Sequence, residues 1–268
     1  MTLDIYQVDA FADEVFKGNP AVVCPLKDWL PDEMMQKIAS ENGVSESAFF
    51  VKKEQSDHYH IRWFSSKGEV ELCGHATLAS AYVIFNFIDT SLKMITFESM
   101  GGVLEVIKQD ENNLTLILNA LMPTIDDEYH TLFNATIGEE PLRVFKGLDY
   151  ILVYDNEEII RKITPRFDAL KSLDLRGICI TAKGNDHDFV YRFFAPKLGV
   201  NEDFITGSAC VSLAPLWAKM LKKDKLSSAQ LSKRGNTIIC ELIDDDKRVA
   251  ITGKASLFQK GEIYLPDK

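Results

Sequence analysis

Glu46 lies in the run Asn42-Gly43-Val44-Ser45-Glu46-Ser47-Ala48-Phe49-Phe50, a carboxylate among small residues and two phenylalanines. Buried in such surroundings its pKa would rise, which suits a general acid or base. Exposed, it is a turn glutamate ahead of a strand, the commoner state of glutamates. His75 stands at the start of a strongly apolar run, where its backbone N–H can point at a ligand and its imidazole can pass a proton. A structural histidine would look the same. Asp203 precedes a second apolar run; it either caps the following turn or accepts a hydrogen bond from a substrate hydroxyl or amine.

These residues belong to two segments that resemble each other. The first is Glu71-Leu72-Cys73-Gly74-His75-Ala76-Thr77-Leu78-Ala79 and the second is Glu202-Asp203-Phe204-Ile205-Thr206-Gly207-Ser208-Ala209-Cys210. Each follows an aromatic strand end and opens an apolar helix. A helix start fronted by glycine, here Gly74 and Gly207, exposes backbone N–H groups and a partial positive charge, so it can hold an anion. Two such mouths suggest two half-sites facing one carboxylate-bearing ligand. Cys73 and Thr206 occupy equivalent places. A two-base racemase on this plan would want a thiol at both, and a threonine hydroxyl has far too high a pKa to serve. Cys210 is one helical turn beyond Thr206 and points away from the mouth. Symmetric thiol chemistry is therefore disfavoured.

The elements that must position these groups can be read from periodicity and turn signals. Strands are expected at Leu3–Ala10, Ala21–Cys24, Ser47–Lys52 and Tyr59–Phe64, with a helix from Pro31 to Glu41 ended by Asn42-Gly43. A helix over Gly74–Phe87 has almost no charge and must be buried. Strands follow at Met94–Glu98, Gly102–Lys108 and Leu114–Asn119, and Pro123–Asp127 reads as a linker. Beyond it come strands at Ile178–Lys183 and Phe189–Ala195, a helix over Gly207–Leu221, and strands at Ala229–Ser232, Thr237–Leu242 and Arg248–Thr252. Asp244-Asp245-Asp246 reads as a hairpin tip and Lys222-Lys223 as a solvated helix end.

The second set repeats the first. Arg62-Trp63-Phe64-Ser65 matches Arg192-Phe193-Phe194-Ala195 at an offset of 130, Gly74-His75 matches Gly207-Ser208 at 133, and Gly101 matches Gly235 at 134. One slowly drifting offset through strand, helix and strand predicts duplication of a whole domain. The expected fold is α+β: two pseudo-symmetric domains, each a curved, mostly antiparallel sheet wrapped around a central apolar helix, with the ligand cleft between them. The expected division is 1–122, joined by the C-terminal strand 256–268, and 123–255.

Composition narrows the function classes. The 268 residues are 46% hydrophobic and 26% charged, enough for a substantial core and against disorder. A net charge of −10 argues against nucleic acid. Five cysteines without a CxxC suit reduced thiols in a cytoplasmic protein. The N-terminus alternates like a first strand and lacks the pattern of a signal peptide, and no apolar stretch approaches the ~18–20 residues that span a bilayer, so no membrane partner is expected. There is no GxGxxG, Walker loop or GxSxG, and Thr206-Gly207-Ser208-Ala209 lacks a nucleophile elbow. His58 and His60 share a strand face with no third ligand near, so no metal is expected.

Five ordered motifs resemble the PhzF family of phenazine-biosynthesis-like isomerases, which share the diaminopimelate epimerase and proline racemase fold. Gly18-Asn19-Pro20-Ala21 looks like the family's GNP motif, and Asn42 to Phe49 like its N-x-SET-x-F, with Ser47 for threonine. Glu69-Val70-Glu71-Leu72-Cys73-Gly74-His75-Ala76-Thr77 is similar to E-V-D-x-C-G-H-A-T, with Glu71 for aspartate. Glu202 to Ala209 resembles E-D-P-x-T-G-S-A, with Phe204 for proline, and Gln230 to Gly235 resembles Q-x-S-x-R-G. Ser66 replaces a proline and Cys210 a frequent histidine, both beside ligand-facing positions.

The resemblance places the family's acid–base glutamate on Glu46 and its active-site histidine, aspartate and serine on His75, Asp203 and Ser208. It implies a cofactor-independent isomerase, acting as a homodimer, that moves a proton within a small carboxylate-bearing metabolite. Gly74, His75, Asp203, Gly207 and Ser208 would bind substrate, with Cys73, Thr206 and Asn19 as further candidates. An amino-acid racemase or epimerase, and a non-catalytic binding or regulatory protein on the same fold, are the alternatives.

Overall fold

The computed structural model describes residues 1–54 and 57–265. The chain divides into two compact units, Met1–Ile117 with Thr252–Lys268, and Leu118–Ile251. Two strands carry the chain across the boundary.

The first unit runs β1 (Thr2–Ala10), β2 (Asn19–Leu26), α1 (Asp32–Asn42), β3 (Glu46–Lys52), β4 (His58–Ser65), β5 (Gly68–Val70), α2 (Gly74–Val83), β6 (Met94–Ser99), β7 (Gly102–Lys108) and β8 (Asn113–Asn119). Its strand order is β1-β2-β3-β4-β6-β7-β8, with β5 on β4. Most neighbours are antiparallel, but β2–β3 and β4–β6 are parallel. A parallel pair needs a crossover. Here α1 makes the first and α2 the second, so the pairing pattern itself places a helix on the sheet.

All ten residues of α2 are buried. The helix packs on β1, β2 and β3, and its few polar side chains close on its own backbone: Thr77 Oγ1 donates to Cys73 O at 2.7 Å and Ser80 Oγ to Ala76 O at 2.8 Å. The other side of β2 and β3 packs on α1, where Val22, Cys24, Leu26 and Phe49 meet Met35, Ile38 and Ala39. Covered on both faces, β2 reads as a continuous apolar run and not as an alternating one.

The expected helix over Gly74–Phe87 keeps α-geometry to Val83 and then widens into a π-turn over Ile84–Ile88, closed by Asp89 N to Ile84 O at 2.8 Å. Such a bulge shifts the side chains that follow. Phe87, within this turn, is exposed at the edge of the core, its ring tilted against Tyr6 with centroids 5.3 Å apart.

The second unit runs β9 (Thr124–Ile125), α3 (His130–Ile137), β10 (Arg143–Lys146), β11 (Tyr150–Val153), α4 (Glu157–Lys162), α5 (Phe167–Leu170), β12 (Ile178–Lys183), β13 (Phe189–Phe194), α6 (Cys210–Leu221), β14 (Lys225–Gln230), β15 (Thr237–Ile243) and β16 (Arg248–Tyr264). The strand order β15-β14-β13-β12-β11-β10-β9 again has two parallel pairs, β11–β12 and β13–β14. The crossovers are α4 with α5, and α6. The α6 helix packs on β14 and β15 and buries nine of its residues.

Several sequence expectations shift. The Pro123–Asp127 linker contains the short strand β9. The strand expected at Ala229–Ser232 is Lys225–Gln230, because Ser232 to Gly235 form a turn closed by Gly235 N to Ser232 O at 3.2 Å. The strand begun at Arg248 runs 17 residues, and its later part pairs with β1, from Ala10↔Ala255 to Thr2↔Tyr264. In the first unit this strand also lies against β8, where Thr115 and Thr252 hydroxyls bond at 2.8 Å. Asp244, Asp245 and Asp246 form the β15–β16 turn with φ of 54°, 54° and 64°. Aspartate tolerates this left-handed backbone better than bulky residues do.

All five cysteines are free and buried. Among the described residues no helix is long and apolar enough to cross a membrane.

Candidate functional site

In the first unit, Asn19, Glu46, Cys73 and His75 come together at the mouth of α2, although 56 positions separate Asn19 from His75. Glu46 opens β3, paired with Ala21 on one side and Ser65 on the other. Asn19 opens β2 opposite Ala10 and is fully buried. The turn before it needs Gly18: φ is +66° and a Cβ would sit 2.2 Å from Ala10 O. Cys73 is the residue before α2, with extended φ and ψ of −142° and 99°. Gly74, His75 and Ala76 precede the first helical bond, Thr77 N to Cys73 O at 3.1 Å, so their N–H groups face outward from the mouth.

His75 is the centre of this group. Its Nε2 lies 3.3 Å from Glu46 Oε2; the side chains are 9% and 20% exposed. Its Nδ1 lies 3.5 Å from Asn19 Nδ2 and 3.6 Å from Cys73 Sγ. Burial pushes the His75 pKa down to about 4. The ring is therefore uncharged at neutral pH, and its approach to Glu46 is a close polar contact between a neutral imidazole and a carboxylate. The tautomer protonated on Nε2 would accept from the Asn19 amide at Nδ1 and turn its own N–H toward Glu46.

In the second unit, Asp203, Thr206, Gly207 and Ser208 lie at the mouth of α6. A single 3-10 turn, Gly207–Ala209, leads into the helix. Asp203 Oδ1 accepts from Phe204 N at 2.9 Å and Oδ2 from Thr206 Oγ1 at 2.5 Å, so both oxygens serve the local turn. Gln230 braces the same turn: its Oε1 accepts from Thr206 N and its Nε2 donates to Asp203 O, each at 2.7 Å. Ser208 Oγ accepts from Arg176 Nη2 at 3.0 Å, and Arg176 also holds Asp149 in a two-point pair at 2.8 and 2.9 Å. Cys210 is fully buried, with Sγ 3.8 Å from Tyr191 OH.

Arg176 and Asp149 were not found by sequence reading. They lie where no periodic pattern or motif marks them, and only the β11–β12 pairing brings them together. The matched Arg62 and Arg192, by contrast, do the same job in each unit. Arg62 binds Glu69 at two points of 2.6 Å and stacks 5.2 Å over Phe64. Arg192 binds Glu202 at 2.7 and 3.0 Å and stacks 5.0 Å over Phe194. Each arginine ties a strand to the segment that leads into a helix mouth. His58 and His60 are otherwise engaged, the first with Asp57 at 3.0 Å and the second edge-on to Trp29.

Comparison with known proteins agrees with this architecture. The family model for phenazine biosynthesis-like proteins, PhzC-PhzF, matches residues 8–261. An uncharacterized isomerase of Pseudomonas aeruginosa is 43% identical over 265 residues, covering 99% of this chain and all of that protein. The crystal structure of a PhzF-family phenazine biosynthesis protein from Enterococcus faecalis is 45% identical and superposes with a TM-score of 0.91 over 99% of this chain and all of that one. A predicted epimerase from Pseudomonas aeruginosa, at 18% identity, shares the fold with a TM-score of 0.79 over 98% of this chain and all of that one. By its sequence across nearly the whole chain and by its diaminopimelate epimerase-like fold, this protein belongs to the phenazine biosynthesis-like, or PhzF, family.

Proposed function

We propose that the protein is a cofactor-independent isomerase that moves a proton within a small carboxylate-bearing substrate, with Glu46 as the acid–base residue. The observation that carries this reading is His75 Nε2 at 3.3 Å from Glu46 Oε2, at a helix mouth. A neutral imidazole donating to the carboxylate favours its ionised form, the form a base needs, and fixes which oxygen remains for the substrate. Glu46 removes a proton from the carbon beside the substrate carboxylate. The electron pair left behind moves onto that carboxylate. The outward N–H groups of Gly74, His75 and Ala76 and the positive end of α2 meet the charge as it develops. Glu46 then returns the proton to another carbon of the same conjugated system, so one residue serves as base and then as acid.

The isomerase names of the relatives support the reaction class. The identity of the substrate rests on chemistry alone: a carboxylate able to spread charge over its oxygens. Gly207, Ser208 and Asp203 are proposed as substrate-binding through the α6 mouth, where Arg176, itself paired with Asp149, holds the Ser208 hydroxyl in place.

A racemase or epimerase is the second reading, favoured by the Cys73 thiol 3.6 Å from His75 Nδ1. The threonine at the matching position weighs against it, since its hydroxyl is donated to Asp203. The test is proton exchange in heavy water with panels of 3-hydroxy and amino carboxylates. The isomerase reading expects deuterium uptake or double-bond movement that disappears in Glu46→Gln. Exchange unchanged in Glu46→Gln but lost in Cys73→Ser supports the racemase. A ligand that binds tightly without any exchange means a binding protein.

A further inference from the structure

We propose that Glu46, Cys73 and His75 form a three-ligand site for a thiophilic divalent cation of the zinc class. Their donor atoms, one carboxylate oxygen, one sulfur and one ring nitrogen, all lie within 4.8 Å of one another, and they are the only such group among the described residues. The nitrogen–oxygen separation is 3.3 Å and the sulfur–Nε2 separation 4.0 Å. Ligands on a tetrahedral ion with bonds of about 2.0 Å to N and O and about 2.3 Å to sulfur stand roughly 3.3 Å apart for N and O and roughly 3.5 Å apart where one is sulfur, so the His75–Glu46 spacing already fits and the Cys73 sulfur has to close on Nε2 by roughly half an ångström. Sulfur and imidazole together select zinc-like ions over magnesium or calcium.

Charge favours the same ion. A thiolate, a carboxylate and a neutral imidazole balance two positive charges, so the occupied site is neutral in a place where Cys73 is 6% and His75 8% exposed. Asn19 supplies the outer support that metal-bound imidazoles use. A half-turn of its amide presents Oδ1 to an Nδ1–H and leaves the Nε2 lone pair to the ion. Three protein ligands leave a fourth position for water or a carboxylate oxygen. Binding expels the thiol proton and replaces the bond from His75 to Glu46. An ion on Glu46 also occupies the lone pair that would take the substrate proton, so zinc silences turnover; this consequence, unlike binding itself, rests on Glu46 being the base.

The test needs no substrate. Full-length protein, stripped with a chelator, is titrated with cobalt(II) and then zinc. One cobalt per chain is expected, with a near-ultraviolet thiolate-to-cobalt charge-transfer band that zinc displaces. The band is lost in Cys73→Ser, whose melting curve shows whether it is folded. In the unmutated protein, zinc should also protect Cys73 from iodoacetamide, read by peptide mass spectrometry. Absence of the band, a band that survives in Cys73→Ser, or alkylation of Cys73 unaffected by zinc overturns the site. Any of these results leaves proton exchange by Glu46 untouched, and loss of exchange leaves the metal result standing.

Discussion

The mouth of α2 and the mouth of α6 share a backbone plan and differ in almost every side chain that could react. At α2, an uncharged imidazole joins a carboxylate at 3.3 Å and a thiol at 3.6 Å, a chain along which a proton can move. At α6, Asp203 and Gln230 tie down their own turn, and Ser208 is held by an arginine already paired with Asp149. The two units share what the fold needs: a parallel strand pair, its helical crossover and a two-point arginine–glutamate tie. Nothing in that scaffold requires a base at both mouths. One mouth gathers a carboxylate, an imidazole and a thiol, while the other is a rigid polar turn.

The largest difference should appear in turnover. Glu46→Gln should lower proton exchange by about 10²–10⁴-fold, the usual contribution of a positioned acid–base group. Thr206→Ser and Ser208→Ala should change it by less than about tenfold and act mainly on KM, because neither side chain has a pKa suited to proton transfer. Equal losses from the two mouths, measured by deuterium uptake, would remove the asymmetry.

The arginine ties offer a second comparison. Arg192 also donates to Ile160 O and Ile163 O at 3.0 and 2.7 Å, whereas the extra partner of Arg62 is the exposed Asp32 at 2.8 Å. Arg192→Met should cost about 3 kcal/mol, since it strands a partly buried Glu202 and two carbonyls. Arg62→Met should cost nearer about 2 kcal/mol. Urea denaturation of both variants checks the order.

Stability should also depend on pH through His75 at the α2 mouth. The His75 pKa is depressed from 6.5 to about 4 by burial. Below about 6.5 the unfolded chain takes up a proton that the folded chain refuses. Stability should therefore fall as pH drops through the range from 6.5 towards 4, by up to about 3 kcal/mol. Metal-free His75→Gln should lack this component, and the α6 mouth, with Ser208 in the matching place, should contribute none of it. Chemical denaturation at a series of pH values, wild type against variant, measures the difference.

The smallest single effect, Gly101→Ala, comes from the comparison of the matched glycines. A Cβ on Gly101 would sit 2.5 Å from Glu71 O, and one on Gly235 would sit 1.8 Å from Gln230 O. Gly235→Ala should destabilise by about 2–3 kcal/mol and Gly101→Ala by about 1 kcal/mol, the range for forcing an extra methyl into packed structure. Because Gln230 braces the α6 turn, the first substitution should also loosen Thr206, visible as faster amide exchange there than at His75 in Gly101→Ala.

Much of this was legible in the chain. The apolar run after Gly74 requires a buried helix, because it holds no charge to show to water. The drifting offset between Arg62 and Arg192, Gly74 and Gly207, Gly101 and Gly235 marks a repeat, because the same strand–helix–strand geometry needs the same residues at the same intervals. The stretch from Asp127 to Gly177 was not legible. Its helices are short, four to eight residues, and its strands four, too brief for periodicity to accumulate. The π-turn at Ile84 was also invisible, since its residues suit an α-helix equally well.

Local sequence by itself determined the helix mouths, the buried helices and the duplication, because these follow from apolar periodicity and glycine placement over neighbouring residues. The tertiary structure decided which side chains meet. Glu46 read alone as a plausible turn residue, and it became half of a carboxylate–imidazole pair only when the parallel pairing of β2 with β3 set it beside the start of α2. Asp203 read alone as either a turn cap or a hydrogen-bond acceptor for substrate, and the fold gives each of its oxygens a donor within the turn, Phe204 N and Thr206 Oγ1. Reactivity at a buried site depends on charge, burial and partners within a few ångströms, and those partners come from strands and helices far apart along the chain.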